Sequence, residues 1–463
     1  MSAPILWIVI PFLTGVFIFL ISSERYSAWV GGGVSAVLSA VAFFIPIDTA
    51  LLLGTLSIKI APAIQVFGRS FELNAADGLL LTIIYGLASL WFFGAKASGS
   101  QSRFVSFGLM IVALLTASIA VEPFLYAALL LEVAAMLVIP LLVPSYQRAS
   151  QGVVRFLTYQ TLAMPFILFS GWMLTGVEAS PSDLGTTLQA GVMLALGFAF
   201  LFAVFPLYHW IPMLMEETPP YATGFLLWAL PTFIAIFALG FLDRYTWLRN
   251  SPQLMSAIQF AGLFMVASGG IFAALQRHLG RILAYASISH TGLILLAFGL
   301  QSPQMAHLVF LTLIPRGLEL AVWAFALSII KRKAYSLQFS DVQGLSRIYP
   351  VATAALTFAH LSITGFPLLA GFPSRLALWQ SLTNDLLLLF WVFVGMFGLL
   401  VAAMRTLAVF VMTEEPGWKL SEGWAQAVML AVGVSGLFLL GIFPQILQPL
   451  LANIPSLFEH LGR

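Results

Sequence analysis

Apolar stretches of about 20 residues recur from end to end of this chain, each long enough to cross the ~30 Å hydrocarbon core of a bilayer. Of its 463 residues 60% are hydrophobic and 8% charged, against roughly a quarter charged in a soluble domain. Fourteen candidate spans can be placed near 4–22, 28–47, 78–97, 104–120, 123–143, 153–176, 187–210, 221–241, 254–275, 282–300, 305–330, 350–370, 384–410 and 424–446. The first lacks a basic n-region and a small-residue cleavage site, so it reads as a retained span. The fold class expected is an all-α polytopic membrane protein. No stretch between spans is long enough for a domain. Any catalytic or cofactor-binding part is therefore expected on another polypeptide.

Cysteine is absent from the sequence, which excludes disulfides, thiol catalysis and cysteine-ligated clusters in this chain. The net charge of +2 comes without a basic stripe, so nucleic acid is not an expected partner; the bilayer is. The distribution of cations says more. With the N-terminus external, thirteen Lys and Arg residues fall in internal loops and helix ends, Arg281, Lys331 and Arg347 among them. About six, including Lys59, Arg244, Arg249 and Arg463, fall outside. That asymmetry fits the positive-inside rule and puts both termini on the external side.

Two of the apolar stretches are interrupted by proline-rich seams. One runs Phe205-Pro206-Leu207-Tyr208-His209-Trp210-Ile211-Pro212, the other Phe366-Pro367-Leu368-Leu369-Ala370-Gly371-Phe372-Pro373, about 160 residues later. Proline removes a backbone donor and disrupts a helix, and lipid penalises unpaired backbone groups. A broken span persists where protein or a water-filled cavity receives the freed groups, and paired breaks in matching halves point to a transport pathway. Pro206, Pro212, Pro367, Gly371 and Pro373 are the expected helix-break residues. The organisation expected is a three-helix leader over 1–103 with an external loop (48–77) able to form a short hairpin, then a five-helix repeat over 104–241. An inverted five-helix repeat follows over 254–410, and a closing helix and short tail over 424–463. Helices 7 and 12 are the broken ones. Five is odd, so consecutive blocks enter the membrane in opposite orientation.

Ionisable groups inside spans are costly and mark ion or proton routes by default. Glu132 lies in an otherwise uncharged run from Ala127 to Ile139; it reads as a proton-exchanging site or as a paired carboxylate locking two helices. His209, inside the first seam, either exchanges a proton near neutral pH or bonds a carbonyl freed by Pro212. His290, near Ser287 and Ser289, is a relay group or interhelical hydrogen-bonding glue. His360, six residues before the second seam, carries the same pair of readings. Arg316 and Glu319 stand three apart on one helix face, which suits a buried ion pair, with Pro315 placed to kink the span. Glu216 and Glu217 follow the first seam and read as solvated helix-end groups. Arg375 follows the second seam; always protonated, it sets a field and is a poor shuttle.

At these residues the chain resembles the antiporter-like membrane subunits of respiratory complex I, a superfamily shared with Mrp-type antiporters and membrane-bound hydrogenases. The resemblance is carried by Leu131-Glu132, Phe205 to Pro212, Gly280-Arg-Ile-Leu-Ala-Tyr-Ala-Ser-Ile-Ser-His290, Gly344-Leu345 and Gly365 to Phe372. It covers roughly residues 70–410. It implies fourteen spans with inverted repeats, and a polar axis starting from a fifth-span Glu (Glu132 here) paired with a seventh-span Lys. Further Lys or His residues lead to a terminal Lys or Glu in span twelve.

The expected seventh-span lysine position holds Leu201, and the eighth-span position falls near Pro231-Thr232. Arg316 lies close to the eleventh-span basic position, and Arg375 at the terminal one. Without the lysine, Glu132 loses an attraction of several kcal/mol at an effective dielectric near 20, unless Arg155 or another cation substitutes. A first-half relay is then impaired unless waters bridge Glu132 to His209. The resemblance implies a non-catalytic subunit of a redox-driven proton-translocating assembly in a bacterial-type cytoplasmic membrane. Its partners would be homologous antiporter-like subunits and a hydrophilic redox arm. Quinone, flavin and iron–sulfur clusters are expected in those partners and none in this chain. Two alternatives stand beside it. One is an Mrp-type antiporter component or a proton channel energising an inorganic-carbon uptake partner; the other is a non-conducting structural subunit.

Overall fold

The apolar stretches fold as helices, which close their backbone hydrogen bonds within the segment and so tolerate hydrocarbon. The computed structural model describes all residues except 1, 22–23, 54–55, 67, 101–102, 144–147, 180–183, 301–303, 413–416, 454–456, 459 and 462–463. Arg463, counted above among the external cations, lies outside the described residues. The helices are α1 (Ile10–Ile21, continuing a π-helical turn Ile5–Val9), α2 (Glu24–Phe44), α3 (Asp77–Ser98), α4 (Arg103–Ala120), α5 (Ala127–Leu142) and α6 (Gln151–Ala179). They continue with α7 (Leu184–Leu201), α8 (Trp210–Glu217), α9 (Pro220–Arg244), α10 (Thr246–Arg249), α11 (Pro252–Leu275) and α12 (Leu279–Gly299). The last six are α13 (Met305–Lys331), α14 (Pro350–Ile363), α15 (Phe372–Ser381), α16 (Leu386–Val411), α17 (Trp424–Ile442) and α18 (Gln448–Asn453).

Among the described residues, eleven helices are long and apolar enough to cross a membrane, and three apolar helices, at 5–21, 185–201 and 350–363, are shorter. These fourteen coincide in place with the fourteen expected stretches. Two of the short ones, α7 and α14, are short because the seams cut them. The loop over 48–77 holds two antiparallel hairpins where one was expected: β1 (Ala50–Leu53) with β2 (Leu56–Lys59), and β3 (Ala63–Val66) with β4 (Arg69–Glu72). β5 (Val121–Glu122), entering α5, extends the second into a sheet of order β3-β4-β5.

Burial decides which helices form the centre. In their most apolar 18-residue windows, α12 and α13 are 94% buried, and α17 11%. A helix apolar on all sides needs neighbours on all sides, and α13 has them: α9, α12, α14, α15 and α17 pack around it. The polar residues on α13 are therefore held away from the surface on every side.

The two breaks differ from the expected seams in one respect. α7 ends at Leu201, Ala203 takes a left-handed φ of 51°, and a 3₁₀ turn (Leu207–His209) leads into α8. α14 ends at Ile363, Gly365 and Leu368 take φ of 77° and 71°, and α15 begins at Phe372. Pro206 and Pro367 lie in the breaks. Pro212 and Pro373 do not break anything: they sit in the first turns of α8 and α15, where backbone N–H groups have no intrahelical partner for a proline to remove. Gly371 closes the second break. A Cβ there would fall 2.0 Å from the Ser362 carbonyl oxygen and 2.7 Å from Glu319 Oε1, so glycine is needed for the chain to pass this carboxylate.

Candidate functional site

Arg316, Glu319 and Trp323 stand on one face of α13, at helical spacings of three and four. Glu319 is fully buried, and its Oε1 accepts a hydrogen bond from Ser362 Oγ at 2.7 Å. The Ser362 hydroxyl in turn accepts the N–H of Gly371 at 3.1 Å, across the gap in the broken helix. Glu319 Oε2 faces His290 Nδ1 of α12 at 3.6 Å. His290 Nε2 lies 3.3 Å from the Thr312 carbonyl. A carbonyl accepts and never donates, so Nε2 carries a proton and Nδ1 is the basic nitrogen of the neutral ring. Neither Nδ1 nor Oε2 meets a hydrogen-bond partner. The arrangement sets a ring nitrogen and a carboxylate oxygen face to face in an enclosed space.

The expected Arg316–Glu319 ion pair does not form: no guanidinium nitrogen of Arg316 lies within 4.0 Å of the carboxylate. Arg316 Nε and Nη2 instead donate to the Leu227 carbonyl of α9 at 3.3 and 2.9 Å. Four residues beyond Leu227 is Pro231, inside α9. Proline has no N–H to return to that carbonyl, and an unpaired buried acceptor costs about 1–3 kcal/mol. The freed carbonyl and the hydroxyls of Thr291 (3.1 Å) and Ser287 (3.0 Å) together outcompete the neighbouring carboxylate. Arg316 also borders a cavity of about 20 Å³ shared with Leu201, Ala203 and Pro231, room for about one water. The positions where seventh- and eighth-span lysines were expected are thus served by a cation reaching over from α13.

Arg375 repeats the device at the second break. Its Nη2 donates to the Ile363 carbonyl at 2.9 Å and Nη1 to Ser374 Oγ at 2.9 Å. Four residues beyond Ile363 is Pro367. Ile363 is the last residue of α14, so Arg375 covers a carbonyl freed by the helix end, whereas Arg316 covers one that Pro231 left free. Arg375 Nε has no partner, and the side chain is 1% exposed.

The other candidates lie elsewhere. His360 stacks on Trp323, ring centroids 4.3 Å apart. His209 is exposed, its Nε2 3.4 Å from Tyr159 Oη and its Nδ1 3.3 Å from the carbonyl of Pro206, not one freed by Pro212. Tyr208 of that seam is buried and donates to Ser268 Oγ at 3.2 Å. Glu132 is half-buried rather than enclosed, flanked by the exposed Leu129, Val133 and Met136, and no ion pair reaches it among the described residues. Arg155, weighed as its substitute cation, meets Met213 Sδ at 3.0 Å.

At the ends of α8, α12 and α13 the charges tie helices together. Glu216 pairs with Arg281 (Oε2 to Nε 2.7 Å), Glu217 Oε2 accepts the Gly152 N–H at 2.7 Å, and Lys331 Nζ donates to the Thr218 carbonyl at 2.9 Å. The glutamates are helix-joining groups, not solvated ends. His278 caps α12 by accepting the Arg281 N–H on Nδ1 at 3.3 Å. Burial lowers its pKa below the usual histidine value, against the opposing pull of Glu216. Sequence reasoning missed Ser362 and Thr312, and placed Gly371 at the break without its approach to Glu319. The GFP segment around Pro367 marked the break, but nothing local indicated which serine bridges it.

The family described as NADH:quinone oxidoreductase/Mrp antiporter, transmembrane, matches residues 173–401, a segment that holds His290, Arg316, Glu319, His360 and Arg375. The chain is 28% identical over 446 residues to NADH-quinone oxidoreductase subunit 14 of Thermus thermophilus, covering 90% of this chain and 97% of that one. It is 27% identical to NADH-quinone oxidoreductase subunit N of Dehalococcoides mccartyi, covering 68% and 70%. The fold is shared with a chain of an archaeal membrane-bound sulfane sulfur reductase (TM-score 0.83, 15% identity, 100% and 99% covered). It is shared also with a chain of Thermus thermophilus respiratory complex I (0.79, 18%, 99% and 100%) and one of the Mrp complex from Dietzia (0.78, 17%, 98% and 97%). Over residues 173–401, just under half of its length, this chain is similar to the NADH:quinone oxidoreductase/Mrp antiporter family, and over most of its length to antiporter-like membrane subunits.

Proposed function

We propose that this chain is a membrane subunit of a complex I-like, redox-driven proton-translocating assembly, and that His290 and Glu319 hold and pass one proton beside the second helix break. The observation that carries this is the unpartnered facing pair, His290 Nδ1 and Glu319 Oε2, 3.6 Å apart and enclosed. A buried carboxylate needs either a proton or a cation beside it, and here the facing group is itself a base. Displacing the proton from Glu319 to His290 creates an ion pair; returning it neutralises both. Ser362 and Gly371 couple the carboxylate to the broken helix, so a shift of α15 against α14 changes how well the charged form is held. Arg316 and Arg375 act as fixed positive charges on either side.

In this reading the chain lies beside homologous antiporter-like subunits in a bacterial-type cytoplasmic membrane, both termini external. Quinone reduction, flavin and iron–sulfur chemistry are carried by the partners. Glu132, on the outward side of α5 without a paired cation among the described residues, is the place for a neighbour's positive charge. The Mrp-type alternative is supported by the match in fold to the Dietzia Mrp chain.

Mild-detergent co-purification with mass spectrometry separates these readings. Quinone-site and iron–sulfur subunits are expected; recovery with small antiporter-type or carbonic-anhydrase-like partners alone would overturn the redox assignment. Within the assembly so identified, Glu319→Gln should cut proton translocation several-fold with partner recovery unchanged. Undiminished pumping would remove Glu319 from the route and favour a structural subunit.

A further inference from the structure

Beside the first helix break, α7, α9, α11 and α12 enclose a cavity of about 180 Å³ whose every lining residue is apolar. It runs from Gly191, Leu242 and Leu248 at one membrane face inward to Phe202 and Val204 at the break. Along α7 that is about 15 Å at 1.5 Å per residue. Its mouth opens at Ala195 and Ala257, both exposed. The residues around that mouth are large and outward-facing: Val192 49%, Leu196 41% and Phe260 68% exposed. Water gains nothing in such a space, and an empty one forfeits dispersion contacts for all its walls.

Polar donors cluster at the membrane-face end. Arg249 Nη1 donates to the carbonyls of Leu242 and Asp243 at 3.1 and 3.0 Å, which ties its guanidinium to the backbone of Leu242, a lining residue. The Trp247 ring packs on Gly191, where an added Cβ would meet it at 3.5 Å, and its buried indole N–H meets no acceptor among the described residues. An apolar shaft with an arginine at its rim is complementary to one kind of molecule abundant in its surroundings.

We infer that this cavity binds one acyl chain of an anionic phospholipid, with the phosphate at Arg249. The chain end reaches Phe202 and Val204 and props the bend at Ala203, so lipid occupancy stiffens the first broken helix. The inference does not depend on the proposed proton route.

The test uses the full-length protein in mild detergent and phosphatidylglycerol carrying a photoactivatable group near the end of its acyl chain. Adducts are expected on Leu194–Phe202 and Leu254–Ala261. Ala257→Trp should lower them at least fivefold, and Ala195→Leu, which narrows the mouth from the opposite wall, serves where the tryptophan does not fold. Arg249→Gln should abolish the preference for phosphatidylglycerol over phosphatidylcholine bearing the same chain. Phe17→Ala, at an exposed residue of α1 that does not line the cavity, should leave adducts in place. Labelling spread evenly over outward residues and insensitive to Ala257→Trp and Ala195→Leu would reduce the cavity to ordinary lipid-facing surface. In the intact assembly, a cross-link from a neighbouring polypeptide into this cavity would overturn the assignment in favour of protein.

Discussion

Arg316 places two of its nitrogens on the carbonyl of Leu227, at 3.3 and 2.9 Å, the acceptor that Pro231 leaves without its helical donor. A charge that sequence spacing assigns to Glu319 is instead spent on joining α13 to α9. This makes Arg316 a strut with a permanent charge, and leaves Glu319 to pair with a base.

The strut has a thermodynamic signature. Arg316→Leu should destabilise the wild-type protein by more than it destabilises a Pro231→Ala variant, because alanine returns an N–H to Leu227. Hydrogen bonds to charged groups contribute about 1.5–3 kcal/mol, so a double-mutant cycle on unfolding in detergent should give a coupling of about 1–2 kcal/mol. Strict additivity would show that Arg316 acts through something other than this carbonyl.

Gly371→Ala tests the passage beside Glu319. A methyl 2.0 Å from the Ser362 carbonyl forces α14 and α15 apart, and overpacking of this kind costs about 1–3 kcal/mol. The melting temperature should fall, and the Ser362–Glu319 hydrogen bond should lengthen in a structure of the variant. An unchanged melting point would mean that the break relaxes freely.

Glu132→Gln should lower proton translocation by the assembly without affecting its composition. Pumping at the wild-type level, with all partners recovered, would confine Glu132 to a structural part at the outward side of α5.

His278 makes one end of α12 pH-sensitive. Its folded-state pKa lies below the unfolded value near 6.5, so the unfolded chain takes up a proton first as pH falls. The stability this residue contributes is full above about pH 6.5 and is lost progressively as pH falls toward the folded pKa. Protonation also removes the acceptor that caps Arg281. His278→Asn keeps a capping acceptor that does not titrate, so amide exchange over Leu279–Leu283 should lose its acceleration between pH 7 and 5. Retained acceleration in the variant would assign the effect to another group.

Composition, span placement and both breaks were legible in the sequence. Their signals are local: an apolar run of fixed length, a proline without a donor, a histidine where side chains are otherwise aliphatic. Arg316, Glu319, His290 and Arg375 stood out for the same reason, as costly groups in apolar surroundings. Their partners were not legible. The i, i+3 spacing allowed an Arg316–Glu319 pair, but spacing counts neighbours on one helix, and the competing acceptor sits on α9, 89 positions away.

By itself, then, the sequence determined that the chain crosses a membrane as helices, where two of them break, and which residues carry buried charge. The tertiary structure alone decided that His209 faces outward while His290 meets Glu319, that Pro212 and Pro373 begin helices rather than end them, and that each buried arginine answers a backbone carbonyl without a helical donor. The physical reason is that hydrocarbon forces every backbone group to find a partner. Which partner it finds depends on what the folded bundle brings within about 3 Å, and that distance is set between helices, not along them.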